Sequence, residues 1–264
     1  MSQELVLIEK HGIAMTLSLN RPEKRNAISA EMLSTFSCAL DRAATDRDVR
    51  AIIIRGEGKC FSAGIDINSL VSQGDMGMNS TEVRRMVGGM QHIFNKIEAI
   101  EKPVIVLVHS YCFGMGLELA LAGDFRIASE DALFALQEVE LGMIPDVGGT
   151  TRLLRTVGLP RAKEIIMMAR RVDAHRAYTI NLVNEVVPAE DLVTTATKWI
   201  EDLKGCAPLA VGMAKKVLDR GAHFDKLSLM EFEALAQSNL LQTADIMEGV
   251  MAKMQKRTPN FTGK

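Results

Sequence analysis

HSYCFGMGLELALAGDFRIAS (109–129) follows the apolar run PVIVLVHS (103–110) and reads as a strand, a turn at Gly114-Met115-Gly116, a short helix over 114–122 and a second strand, FRIAS. A strand, a helix and a following apolar stretch in this order belong to an α/β pattern. The oddity is Glu118, a carboxylate in an otherwise apolar helix. If that helix starts near Gly114, the Met115 N–H lies in its first turn with no partner inside the helix. Aided by the positive end of the helix dipole, such a donor suits a developing oxyanion. Glu118 follows three residues later, on nearly the same face, and glycines at 114 and 116 let a ligand approach the backbone closely. The competing reading is a solvated helix carboxylate. Leu117, Leu119, Ala120, Leu121 and Ala122 weaken it by leaving little polar face.

Working outward, LVLIEK (5–10) and IAMTLSL (13–19) alternate as two strands joined at His11-Gly12, a hairpin. The polar NRPEKRNA (20–27) is a loop. Ser29 caps a helix running to about Thr45, with Met32, Phe36, Leu40 and Ala44 at helical spacing. RAIIIRG (50–56) is a strand, and GEGKCFSAG (56–64) crosses into another turn. A Gly/Met-rich loop over 74–80 precedes a helix capped by Ser80 or Thr81 and ending near Glu101. Beyond about residue 148 amphipathic segments dominate, with one strand-like stretch, LVNEVVP (182–188), and from Asp191 onwards helices alone. This pattern predicts an α/β core with a helical C-terminal piece. In the last segment, 227–254, Leu229, Phe232, Leu235, Ala236, Leu240 and Leu241 make one apolar face. It suits either packing on the chain's own core or self-association.

Composition narrows the function classes. The 264 residues suffice for one large domain or a domain with a smaller appendage, and 47% hydrophobic residues can build a substantial core. Lys and Arg number 31 against 33 Asp and Glu, a formal charge of −2 with no basic block, so no nucleic-acid surface and no membrane partner are expected. The opening MSQELVLIEKHG has no basic start followed by an apolar stretch, so no secretory signal is expected, and no apolar run is long enough to cross a bilayer. Cys38, Cys60, Cys112 and Cys206 are scattered, without a CxxC pair or a histidine at ligand spacing. They read as buried free thiols of a cytoplasmic protein, with no metal.

Further acids lie in LQEVELGMIPDVGGTTRL (136–153), where Glu138, Glu140 and Asp146 fall between the strand-like DALFAL and Gly148-Gly149. Two carboxylates from separate segments, one raised in pKa by burial, are what acid–base work on a water or a carbon acid requires. A third stretch, CFSAGIDINSL (60–70), combines apolar Phe61, Ile65 and Ile67 with small Ala63-Gly64, and Asp66 stands where it can cap a short helix after it. A serine nucleophile at Ser62 or Ser110 is disfavoured because neither sits in a G-x-S-x-G elbow. A dinucleotide site is disfavoured because Leu119 occupies the third glycine position of G-x-G-x-x-G.

Together, NRPEKRNAIS, GKCFSAGIDI, FGMGLELALAGDFRIAS and EVELGMIPDVGGTTRL resemble the enoyl-CoA hydratase/isomerase (crotonase) family in order and spacing. The likeness extends through GLPRAKEIIMMARRVDAHRA to the KRTPNF ending. The resemblance implies a spiral of repeated ββα units over 1–190 carrying the active site. It further implies a C-terminal helical region, 191–264, that builds homotrimers, often paired into hexamers. It implies an acyl-CoA thioester substrate whose oxygen is gripped by two backbone N–H groups, matched here to Ala63 and Met115. Glu118 and Glu138 match the two hydratase glutamates that position a water, with Glu138 giving a proton to the α-carbon. No cofactor is implied beyond the CoA of the substrate, since the thioester is itself the electron sink. The segments around Arg25, Ala27 and Ser62-Ala63-Gly64-Ile65-Asp66-Ile67, with Gly114 and Met115, look like the substrate- and CoA-binding loops. Lys24 and Arg25 are matched to phosphate or adenine contacts, and SQGDMGMNSTEVRRMV (72–87) to the acyl pocket.

Three departures bear on activity. Met115 stands where hydratases commonly have glycine, and Gln137 replaces a common proline. Asp146, in P-D-V-G-G, adds a third acid in an arrangement that resembles the dienoyl-CoA isomerases of the family, which shuttle protons between an aspartate and a glutamate. Both glutamates are present, so the expected activity is hydration of a 2-enoyl-CoA. The alternative is 3,5-2,4-dienoyl-CoA isomerisation through Glu138 and Asp146. A non-catalytic, for example RNA-binding, use of the fold is opposed by the near-neutral charge and the glutamate pair.

Overall fold

In a computed structural model, the structure describes residues 4–68, 77–221 and 223–264. The N-terminal hairpin pairs β1 (Val6–His11) with β2 (Ala14–Leu19), closing at Gly12, whose φ of +58° suits the turn. α1 (Ala30–Thr45) then leads to β3 (Ala51–Gly56), and α2 (Ser80–Ala99) to β4 (Val104–Val108). β5 (Tyr111–Phe113), α3 (Met115–Ala122), β6 (Phe125–Ser129) and β7 (Leu133–Ala135) follow. A 3-10 turn, Glu138–Leu141, precedes α4 (Gly149–Met167), which breaks at Gly158 (φ 76°) just before Pro160. The remainder is β8 (Val172–Asp173), α5 (Ala174–Thr179), β9 (Glu185–Val187) and the helices α6 (Leu192–Lys204), α7 (Pro208–Gly221), α8 (Lys226–Leu240) and α9 (Ala244–Gln255).

The large sheet has the order β1-β2-β3-β4-β6-β9 and is parallel except for the β1–β2 hairpin. A second sheet, β5-β7-β8, is extended by parallel bridges between Ser62 and Cys112 and between Ile28 and Ile65. Four strands of the large sheet, β2, β3, β4 and β6, are thus each followed by an extended segment in the second row, at Ile28, at Ser62–Ile65, at β5 and at β7, before a helix returns the chain. This is the repeated ββα spiral. Its strands read as continuous apolar runs because both faces are covered. Ile52, Ile54, Val104, Val106 and Val108 face the core shared with α1, α3 and the second row. Ile53, Ile105, Leu107 and Ile127 meet Leu192, Ala196 and Ile200 of α6 on the other face. α7 is anchored by Lys215, buried against Asp124 at 2.8 Å and donating to the Ile97 carbonyl at 2.8 Å.

Several local expectations change. Ser29 does accept from the Met32 N–H at 3.3 Å. The α2 cap, however, is Asn79, whose Oδ1 takes the Thr81 and Glu82 N–H groups while Glu82 returns a bond to the Asn79 N–H. This reciprocal box satisfies more orphan donors than a hydroxyl at Ser80 or Thr81 can. β8 was not foreseen, because two residues are too short to show alternation. Of the four cysteines only Cys60 and Cys112 are buried, while Cys38 and Cys206 are exposed. In the Met-rich stretch 72–87, residues 72–76 lie outside the described residues. Among the described residues, no helix is long and apolar enough to cross a membrane.

Candidate active site

The Gly-Met-Gly stretch starts a helix where the sequence placed one. Gly114 adopts φ 50°, ψ −126°, a conformation that favours glycine, and α3 begins at Met115. The Gly114 carbonyl accepts the Leu117 and Glu118 N–H groups at 2.8 and 3.0 Å. The Met115 N–H, on the other side of that trans peptide, points out of the helix start. α3 is buried along its whole length, so Glu118 is only 2% exposed. A Cβ on Gly116 would lie 2.8 Å from the Ser62 Cβ, so the helix packs directly on the Ser62–Ile65 segment.

Glu118 is not left bare. Its Oε1 accepts the backbone N–H groups of Val147 and Gly149, each at 2.9 Å. A Cβ on Gly149 would sit 2.7 Å from that oxygen, so glycine there is a condition of the contact. The pKa of Glu118 is pushed up to about 7, first by burial and then by the neighbouring charges of Glu138 and Asp146, against the lowering effect of the two N–H bonds.

Glu138 opens the 3-10 turn and is half-buried. Its Oε1 faces Gly114, where a Cβ would come within 3.0 Å, so it closes on the start of α3. Its Oε2 is buried and, among the described residues, has no hydrogen-bond partner. Buried carboxylate oxygens are normally satisfied, so an orphan one beside the start of α3 marks Glu138 as a candidate for contact with a ligand or water. Burial raises the Glu138 pKa, with Asp146 adding to it. Asp146 is exposed at the rim, yet enough protein surrounds its carboxyl for burial to raise its pKa too. Its backbone carbonyl accepts from Gln91 of α2 at 2.6 Å. Glu140 is exposed and receives a 3.4 Å contact from Gln137, away from the other acids.

The Ser62–Ile65 segment corrects one assignment. The Ala63 N–H donates to the Arg25 carbonyl at 2.9 Å, so it is already used within the protein and cannot serve as the oxyanion donor matched to it. The Gly64 carbonyl accepts from Ile28 at 2.8 Å, so in the same trans peptide the Ile65 N–H is turned away from Ile28. β5 lies on that side, shown by Ser62 N–H bonding to Tyr111 and Phe113 N–H to Ser62. Gly64 (φ 100°) packs against the chain at Gly114, 3.6 Å from a hypothetical Cβ to its Cα. The Ser62 hydroxyl is consumed structurally, donating to the Asn26 carbonyl at 2.9 Å and accepting from the Gly64 N–H at 3.1 Å.

The loop before α1 is organised by Asn26, fully buried, whose amide donates to the Glu57 and Cys60 carbonyls at 2.8 and 2.9 Å. Arg25 and Asn26 both have φ near 52°, a kink that presents Arg25 outward. Arg25 and Lys59 line a groove of about 760 Å³ together with Glu23, Cys60, Ser110 and Tyr111. Lys24, in the 3-10 turn Pro22–Lys24, is exposed nearby, and the Ala27 carbonyl accepts from Arg21. Asp66 is paired with Arg21 at 3.0 Å and accepts from the Asn68 N–H at 3.1 Å, so it ties these loops together. Ile67 is 55% exposed. Among the described residues, no group of three or more His, Cys, Asp or Glu is placed to hold a metal ion.

The structure therefore brings Glu118, Glu138, Asp146, Gly64, Gly114 and Met115 to one place. It keeps Lys24 and Arg25 at the neighbouring groove and Ala63 turned the other way. Sequence reasoning missed the Val147 and Gly149 donors, although the Gly148-Gly149 pair was the visible signal for them.

Comparison with known proteins gives the family. A family model described as enoyl-CoA hydratase/isomerase matches residues 9–264. The chain is 35% identical over 253 residues to the short-chain-enoyl-CoA hydratase of Clostridium acetobutylicum, covering 96% of this chain and 95% of that protein. It is 37% identical to the peroxisomal Delta(3,5)-Delta(2,4)-dienoyl-CoA isomerase of Arabidopsis thaliana, with 93% and 91% covered. The crystal structure of enoyl-CoA hydratase from Bacillus anthracis superposes with a TM-score of 0.92 at 33% identity, covering 99% of this chain and all of that one. With a family model spanning nearly its whole length and relatives above the 30% level along it, this chain belongs to the enoyl-CoA hydratase/isomerase family.

Proposed function

We propose that this protein adds water across the 2,3 double bond of a 2-enoyl-CoA thioester. The observation that carries the reading is a pair of neighbouring carboxyls in unlike settings, Glu118 held by two N–H donors and Glu138 with an orphan buried oxygen. The thioester carbonyl lies between the Met115 and Ile65 N–H groups, the latter replacing Ala63. Water attacks the β-carbon; its oxygen bonds there, and one water proton passes to the free Oε2 of Glu118. The electron pair of the double bond moves onto the thioester oxygen as an enolate, stabilised by the two donors. The enolate collapses, taking the Glu138 proton on its α-carbon. A proton returning from Glu118 to Glu138 through the next water resets the pair. A Glu118 pKa of about 7 lets it accept and release that proton near neutrality.

Arg25 and Lys59 at the groove suit the phosphates of CoA, with Lys24 close by. α7 and α8 expose Leu218, Leu227 and Leu235 at 75%, 72% and 63%, which supports residues 191–264 as the trimer-forming region. The reading also places the protein in the cytoplasm and assigns it no cofactor.

One observation favours a second reading. The charge of Asp146 raises the pKa of Glu138, which supports pairing these two acids as the proton carriers that move a 3,5-diene to a 2,4-diene. Incubation with a 2-enoyl-CoA and a 3,5-dienoyl-CoA, followed by mass analysis, separates the two. Gain of one water on the first supports hydration; a new 2,4-diene at unchanged mass supports isomerisation.

A further inference from the structure

The groups that hold Glu118 are themselves held. Arg152, on the first turn of α4, is 6% exposed. Its guanidinium donates through Nη1 to the Val147 carbonyl at 3.0 Å. Nε and Nη2 form a forked pair with Glu98 of α2, each at 2.9 Å, and Nη2 also reaches Asn95 at 2.6 Å. A Cβ on Gly148 (φ 98°) would overlap Nη1, so the guanidinium occupies space that only a glycine leaves. The turn Val147–Gly149 is thus gripped from one side by Arg152 while its N–H groups meet Glu118 on the other.

We propose that Arg152, anchored on α2 by Glu98 and Asn95, is a positioning residue that keeps both backbone donors on the Glu118 carboxylate and so sets that carboxyl's working protonation state. This rests on the reading of Glu118 as an acid–base group at the acyl-CoA site. A forked guanidinium fixes direction as well as distance, which a lysine cannot reproduce. The charged groups that act on Glu118 are Glu138 and Asp146, and the Arg152 guanidinium meets the turn that holds it at the Val147 carbonyl.

The test is a carboxyl titration by difference infrared spectroscopy on the whole protein without substrate, with Glu118→Gln assigning the band. Variants are Arg152→Gln, Arg152→Lys and Glu98→Ala, the last at a side chain 37% exposed and so tolerant of change. Weakening the two N–H bonds raises the Glu118 midpoint, by about one pH unit in Arg152→Gln and by less in Arg152→Lys and Glu98→Ala. The Glu98 variant is diagnostic. Loss of a negative charge acting through space lowers the midpoint, whereas release of the clamp raises it. A raised midpoint in folded Glu98→Ala supports the proposal even if Arg152→Gln fails to fold. An unmoved or lowered midpoint there overturns it. Should the protein prove inactive on 2-enoyl-CoA while the midpoint rises as expected, the hydratase reading fails and the clamp stands.

Discussion

α3 and the 3-10 turn each supply one carboxyl to the same opening, and they treat it differently. On α3, Glu118 is almost fully buried, and one of its oxygens takes two backbone N–H bonds. On the 3-10 turn, Glu138 is half-buried and keeps an oxygen with no partner among the described residues. A held carboxyl can orient a water without moving, whereas an unheld one can turn to deliver a proton. The separate roles proposed for these two identical side chains rest on this difference in surroundings.

The sharpest way to break this contrast is to remove the carboxyl that keeps an unpartnered oxygen. Glu138→Gln is expected to lower kcat on a 2-enoyl-CoA by about 10³-fold, the scale of a lost general acid, with acyl-CoA binding by calorimetry little changed. Full activity in that variant sinks the assignment. Next in size is the donor pair. Replacing the backbone amide by an ester at Ile65 deletes one N–H and is expected to lower kcat/KM about 10²-fold, while the same change at Ala63 does not act on the oxyanion. Equal losses at the two positions contradict the exchange of donors.

Glu118→Gln tests the held side through stability. Because the folded pKa lies near 7, above the usual 4.5, the folded state binds more protons than the unfolded one between these values. Its stability contribution is therefore fully present below about pH 4.5 and declines as pH rises through 7. At pH 8 the ionised carboxyl costs about 3 kcal/mol relative to a neutral isostere, as an upper figure. The glutamine variant, whose amide oxygen can still accept both N–H bonds, is expected to melt higher than the parent at pH 8 and no higher at pH 4. Asp146→Asn has the smallest expected effect in a hydratase. Removing its charge lowers the pKa of both glutamates, moving the acid limb of the rate profile down by less than about one pH unit. Loss of turnover instead makes Asp146 a proton carrier and favours the isomerase.

Much of this was legible in the chain because α3 concentrates its signals. Gly114, Met115 and Glu118 sit within five residues, so local helix geometry alone places a donor beside an acid. The strands were equally readable, since PVIVLVHS and RAIIIRG are apolar on both alternating faces. The Ala63 assignment failed for a reason local sequence cannot show. Which N–H is left free is decided by partners 36 and 38 residues away: the Ile28 N–H donates to the Gly64 carbonyl, and the Arg25 carbonyl accepts from the Ala63 N–H. The Arg152 clamp was hidden for the same reason, because its anchors Asn95 and Glu98 lie on another helix. The α2 cap was misjudged by one residue, at a position where Asn79, Ser80 and Thr81 are all competent and only Glu82 selects among them.

The measurement that tests the central claim most directly follows absorbance on a short 2-enoyl-CoA, with mass analysis of the product, for the parent protein and Glu138→Gln side by side. Loss of conjugation with a gain of one water in the parent, abolished in the variant, is the predicted result. No water gained by the parent, or equal hydration by the variant, contradicts the account.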